Sequence, residues 1–141
     1  MYHSDVLCVS VVQGQDDWGV TYSSTEVCAL KGSTVEIRCS YTYPSRINDS
    51  ETTVTETLWF TKGTDMAPVD LTTDAEYAGR VQYRCENNIY TLRISDLRER
   101  DSAEYRFRIE TNQPNGRYTG EPGVTLSVTG NIFKCKWIIL S

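Results

Sequence analysis

Apolar and polar residues alternate along this chain at period two, and that alternation restricts its fold more than any other feature. Val35, Ile37, Cys39 and Tyr41 interleave with Thr34, Glu36, Arg38 and Ser40, which on a pleated strand sends the first set to one face. The same rhythm returns in Tyr90, Leu92 and Ile94, in Tyr105, Phe107 and Ile109, and in Val124, Leu126 and Val128. Turn-forming stretches separate these runs: Lys31-Gly32-Ser33, Pro44 to Ser50, Lys62-Gly63-Thr64-Asp65, Glu86-Asn87-Asn88 and Asn112 to Gly116. Only Asp96 to Ala103 has room for a helical turn. Many short strands joined by turns predict an all-β antiparallel sandwich or barrel.

Composition narrows the functions such a fold can serve. With 141 residues the chain has room for one ordinary core. Its 14 Lys and Arg stand against 19 Asp and Glu, a formal charge of −5, which argues against nucleic acid as the main partner. The single histidine is His3, near the amino terminus, so the expected core holds no imidazole for a triad or a proton shuttle. With no metal-ligand cluster and no phosphate-binding loop either, an enzyme is not expected and no cofactor or metal is implied. The five cysteines, Cys8, Cys28, Cys39, Cys85 and Cys135, include no C-x-x-C pair, which favours an oxidising compartment over a zinc or thioredoxin-type site.

The two ends read differently from the body, which spans residues 15–130. Residues 1–14 contain an apolar run, Val6 to Val12, followed by Gln13-Gly14, in the order of a signal segment and its cleavage site but with no Lys or Arg ahead of it, which reads as a degraded signal peptide; a simple disordered extension is the alternative. Residues 131–141 form an atypical tail whose apolar residues are interrupted by Lys134 and Lys136, with no run of the roughly 18 residues that spanning a membrane requires. The chain as written is expected to be secreted, or to stop short of an anchor. Asn48-Asp49-Ser50 is an N-x-S sequon in a polar loop, a candidate glycosylation site at Asn48 with an unused triplet as the alternative.

Three features narrow the sandwich to an immunoglobulin-like one. Trp59 follows Cys39 by 20 residues, within Thr57-Leu58-Trp59-Phe60, the spacing of a buried Trp packed on a second-strand Cys. Asp101-Ser102-Ala103-Glu104-Tyr105 matches the tyrosine corner that opens strand F, where the Tyr105 hydroxyl is expected to bond backbone. Arg80, opening Arg80-Val81-Gln82-Tyr83, is placed to pair with Asp101 across the lower edge of a variable-type (V-set) domain. Two residues after the corner tyrosine, where an ordinary variable domain has its second core Cys, stands Phe107. Loss of the intersheet disulfide costs about 2–5 kcal/mol unless something replaces it, and an aromatic ring can fill the volume.

Several runs then carry a family resemblance: Trp18-Gly19-Val20, Tyr43-Pro44, Thr91-Leu92-Arg93-Ile94-Ser95-Asp96-Leu97 and above all Tyr105-Arg106-Phe107-Arg108-Ile109-Glu110. They resemble the amino-terminal V-set domains of the sialic-acid-binding immunoglobulin-like lectins (Siglecs), over roughly residues 17–129. The resemblance implies a disulfide within one sheet, from strand B to strand E, in place of the bond between sheets. This chain departs from that pattern. Tyr90 stands at the strand-E position and the nearest thiol is Cys85. Counted along strand E, Cys85 has the opposite parity to the core residues, so a bond from Cys39 requires a bulge in Glu86 to Asn88. Cys28 is left to pair with Cys85, to pair with another domain or chain, or to remain a free thiol.

Alternation also orients strand F. With Tyr105, Phe107 and Ile109 inward, Arg106, Arg108 and Glu110 project outward, and Arg108 is expected on an open surface. A guanidinium there can meet a carboxylate through two parallel N–H···O bonds. The resemblance makes that carboxylate the one on sialic acid, with Trp18 against the N-acetyl group and Tyr118 beneath the glycerol chain. The plainer readings are a solvated or cross-strand-paired Arg108, Trp18 as a plug over the sandwich edge and a structural Tyr118. The expected partners are sialylated glycans on glycoproteins or glycolipids, in adhesion or immune signalling at a cell surface. The alternative is a protein-recognition module that binds no sialic acid.

Overall fold

The computed structural model describes residues 17–135, so the expected leader lies outside the described residues. Eleven strands occur among them. One sheet has the order β1-β3-β8-β7, built from β1 (Gly19–Tyr22), β3 (Val35–Thr42), β8 (Ile89–Ile94) and β7 (Val81–Glu86), all antiparallel. The second is centred on β9 (Ala103–Thr111). β6 (Val54–Phe60) lines one side of β9, while β10 (Arg117–Thr119) and β11 (Val124–Thr129) share the other. The edge strand β2 (Glu26–Leu30) pairs with β11 in parallel, in contrast to the antiparallel pairing elsewhere. A small hairpin joins β4 (Arg46–Ile47) to β5 (Ser50–Glu51). The chain is an all-β sandwich, and among the described residues helical structure is confined to short turns such as Glu99–Asp101, inside the one stretch expected to hold a turn.

The period-two runs supply the core. Val35, Ile37, Cys39 and Tyr41 of β3 face Tyr105, Phe107 and Ile109 of β9 and Val124, Leu126 and Val128 of β11 across the layer, all buried. Phe107 sits among Trp59, Tyr90 and Tyr41, with ring centroids 5.1, 5.1 and 5.9 Å away. At about 0.5–1.5 kcal/mol for each such pair beyond its area burial, the three contacts reach the range that an intersheet disulfide would contribute.

The cysteines correct the sequence expectation. Cys39 is a free, buried thiol, its pKa pushed well up by burial, so the bond to Cys85 is not formed. The reason is a two-residue turn. Asn87 and Asn88 take φ of 52° and 66°, the left-handed pair of a type I′ hairpin, and so place Cys85 on a separate strand, β7, opposite Tyr90. The odd-numbered side of β7, with Tyr83 buried, therefore faces the core, and the parity argument counted along strand E does not carry through the turn. Cys39 lies opposite Tyr90 on its other side. The two thiols are thus two strand spacings apart, about 9–10 Å, beyond the roughly 7 Å Cα separation a disulfide tolerates. Cys85 is disulfide-bonded elsewhere. Cys28 bonds Cys135 across 107 residues, a pairing with the tail that the sequence reading did not consider. An all-β sandwich with a disulfide-bonded cysteine pair fits an immunoglobulin-like domain.

Candidate functional site

The lower edge of the sandwich is held by residues the sequence singled out. Arg80 donates from Nη1 and Nη2 to the two Asp101 oxygens at 2.7 and 3.0 Å, and further to the carbonyls of Glu76, Asp96 and Ser95. Burial pushes the Asp101 carboxyl up, but the Arg80 guanidinium and the Arg98 amide outweigh it and hold the group below the usual carboxylate range. The Tyr105 hydroxyl donates to the Asp101 carbonyl at 2.6 Å, and Trp59 is 1 % exposed in the core. These residues brace the fold.

The candidate site is on the outer face of β9. Register puts Arg108 opposite Leu58 of β6 and Thr119 of β10, and Glu110 opposite Arg117. Because directly opposed residues share a face, Arg108, Glu110, Arg117 and Thr119 form one group. Arg108 does not stand in the open as expected: it is 3 % exposed. Its Nε donates to Glu110 Oε2 at 3.1 Å and its Nη1 to Thr119 Oγ1 at 3.3 Å. Period two had placed Glu110 on the same face, about 7 Å along the strand, and a long guanidinium stem spans that gap.

Arg108 nevertheless borders solvent. An open pocket of about 370 Å³ is lined by Asp65, Met66, Arg108, Asn115, Arg117, Tyr118 and Thr119. Arg117 is exposed on its rim and donates to the Met66 thioether at 3.7 Å. The pocket therefore joins two guanidiniums to one carboxylate from Asp65, with Glu110 holding the far side of Arg108. Sequence reasoning missed Asp65, Met66, Asn115 and Arg117, since only register brings the 64–67 loop and the β9–β10 hairpin to one place. Asn115 at φ 56° and Gly116 close that hairpin; a Cβ on Gly116 would lie 2.2 Å from Thr111 Oγ1, so no larger residue fits.

Trp18 and Tyr118 are brought together, and Tyr118 also borders the Arg108 pocket. Their rings stack with centroids 6.2 Å apart and an interplanar angle of 16°. Tyr118 lies opposite Ile109, so it points to the core side of the sheet, and both rings are half-buried against the core. Just below them the second sheet parts between β10 and β11. There the Tyr22 hydroxyl accepts from the Phe107 amide at 2.9 Å and donates to the Gly120 carbonyl at 2.8 Å, stitching β1 into the gap. Asn48 occupies the exposed tip of the β4–β5 hairpin, its φ of 52° again that of a type I′ turn. No protein-family model matches the chain, and no curated protein matches it.

Proposed function

We propose that this is an extracellular recognition domain of the V-set immunoglobulin type whose ligand is an acidic sugar, a sialylated glycan first among candidates, bound at the Arg108 pocket. One observation carries the reading: Arg108, whose guanidinium makes two hydrogen bonds among the described residues, borders an open pocket that a second arginine flanks. A guanidinium has five N–H donors in a planar fork, so a ligand carboxylate entering the pocket can take a charge-assisted pair in place of Glu110. Exchange of one carboxylate for another yields little net energy, and affinity at a single site is weak. Adhesion or signalling then depends on many copies engaging together. The Cys28–Cys135 bond supports an oxidising, extracellular setting, and Asn48 at its exposed tip suits glycosylation there.

A second reading is favoured by the burial of Arg108 and its bond to Glu110: with the fork closed, the outer face of β9 is a surface for another protein. Titration with a sialoside separates the two. Under the lectin reading Arg108→Lys abolishes binding without unfolding the domain, and Glu110→Gln tightens it about 3–10-fold by removing the competing charge. Absence of binding in both the wild-type chain and Glu110→Gln overturns the lectin reading in favour of protein recognition.

A further inference from the structure

The sheet on the other side of the sandwich from the pocket, β1-β3-β8-β7, turns an unusual set of side chains outward. With Ile37, Leu92 and Tyr83 packed in the core, alternation sends Glu36, Arg38, Arg84 and Arg93 to the outer face. Register groups them. Thr91 lies opposite Arg38 on one side and Arg84 on the other, and Arg93 lies opposite Glu36. Arg38 and Arg84 are thus two strand spacings apart, about 9–10 Å. Thr91 between them is 4 % exposed although it points outward, as expected where long arginine stems lie across a sheet.

One carboxylate serves all three guanidiniums. Arg38 Nη2 donates to Glu36 Oε1, while Arg84 Nη1 and Arg93 Nη1 lie 3.3 and 3.4 Å from Glu36 Oε2. Desolvation pushes the Glu36 carboxyl up, but Arg84, Arg38 and Arg93 outweigh it and hold the group below the usual carboxylate range. The arginine side chains remain 46 to 47 % exposed. A guanidinium has five donors, so each keeps N–H groups for a further acceptor. On these four strands the other acid is Glu86, at the end of β7. The cluster is therefore net positive on a chain of net charge −5.

We propose that this face binds the sulfate groups of an extended sulfated polysaccharide through Arg38, Arg84 and Arg93, independently of the Arg108 pocket. Arginine forks take tetrahedral oxyanions through paired N–H···O bonds, and no lysine lies on these strands. A pleated face is flat, so affinity requires a ligand that engages several charges at once. The other outward side chains, among them Thr21, Ser40, Thr42 and Gln82, offer hydroxyls and an amide to the hydroxyls of a sugar chain. The same surface matches other anionic partners poorly. Among the described residues its one exposed large apolar side chain is Ile89, 36 % exposed at the β7–β8 turn. It therefore lacks both the apolar insertion that holds a domain on a bilayer and the aromatic anchors around which protein interfaces are built. No aromatic ring of these strands points outward for a base to stack on. Sulfated polysaccharides also belong to the extracellular setting that the Cys28–Cys135 bond supports.

The test is chromatography of the intact, oxidised chain on immobilised heparin, with desulfated heparin and hyaluronan, which carries carboxylates but no sulfate, as comparison columns. Retention is expected on heparin alone at about 0.15 M salt, and it should weaken as salt rises. Arg84→Gln and Arg93→Gln should each weaken binding about fivefold, and the two combined with Arg38→Gln should abolish retention. Glu36→Gln removes the competing charge and should tighten binding about threefold. Arg108→Lys, and Arg98→Gln with Arg100→Gln, should bind heparin as the wild-type chain does, so this proposal and the lectin reading fail separately. Thermal midpoints should hold in all of these variants, because the altered side chains of this face are half exposed; should the triple variant not fold, the single changes and Glu36→Gln decide. No retention of the wild-type chain, equal retention on hyaluronan, binding that survives the triple change, or weaker binding by Glu36→Gln would each overturn the proposal.

Discussion

Two arginines of this domain are almost equally buried, Arg80 at 8 % exposed and Arg108 at 3 %, yet their surroundings differ in kind. Arg80 meets both oxygens of a carboxylate that is itself 2 % exposed, and three backbone carbonyls take further N–H groups. Arg108 makes one carboxylate contact and one longer bond to a hydroxyl, and its acid partner has a side chain 35 % exposed. A buried charge forked onto a buried carboxylate and held by three carbonyls besides is structural, because nothing can replace its partners without loss. A buried charge with spare donors beside an open pocket can exchange one partner for another. Burial alone therefore does not separate a brace from a binding group; the number of hydrogen-bond partners and their burial do.

The strongest way to break this contrast is to truncate the two acids. Asp101→Ala should destabilise the domain by about 3–5 kcal/mol, since it strands a buried guanidinium. Glu110→Ala should cost about 1 kcal/mol or less, because water in the pocket can take its place. Urea denaturation measures both, and equal losses would erase the distinction. Next in size is replacement of each arginine by methionine, an apolar residue of similar length. Arg108→Met should be close to neutral in stability, whereas Arg80→Met leaves Asp101 without its partner and should cost roughly 2–3 kcal/mol. The smallest effect is the acid limb. The Asp101 carboxyl is held below its unfolded value, so its contribution is complete above about pH 4 and is lost as pH falls through the folded value. Asp101→Asn should therefore flatten the decline of stability below about pH 4.

Much of the fold is legible in the residues. Alternation located β3, β8, β9 and β11 and the side of each that is buried, because neighbouring Cβ atoms on a strand must point to opposite faces. It also put Arg106, Arg108 and Glu110 on one outer face, and the variable-domain pattern placed Arg80 beside Asp101. Legibility ended where a local turn or a distant segment intervened. The phase of Cys85 depended on Asn87 and Asn88 adopting the left-handed region, which made β7 and β8 separate strands. The partner of Cys28 lay 107 residues away in a tail that reads as foreign to the domain. Arg117, to which the sequence reading gave no role, pairs with Glu110 beside Arg108, while Tyr118 lies opposite Ile109 and stacks on Trp18.

The sequence by itself determined the class of the fold and its inward faces, which follow from periodicity, and the variable-domain pattern placed the lower-edge ion pair. Tertiary structure decided which thiols meet and how far Arg108 is enclosed. It also decided which loop, that of Asp65 and Met66, closes over the outer sheet to make a pocket. Those outcomes depend on strand register and chain reversal, where a shift of one residue moves a side chain to the other face, and no local pattern carries that information.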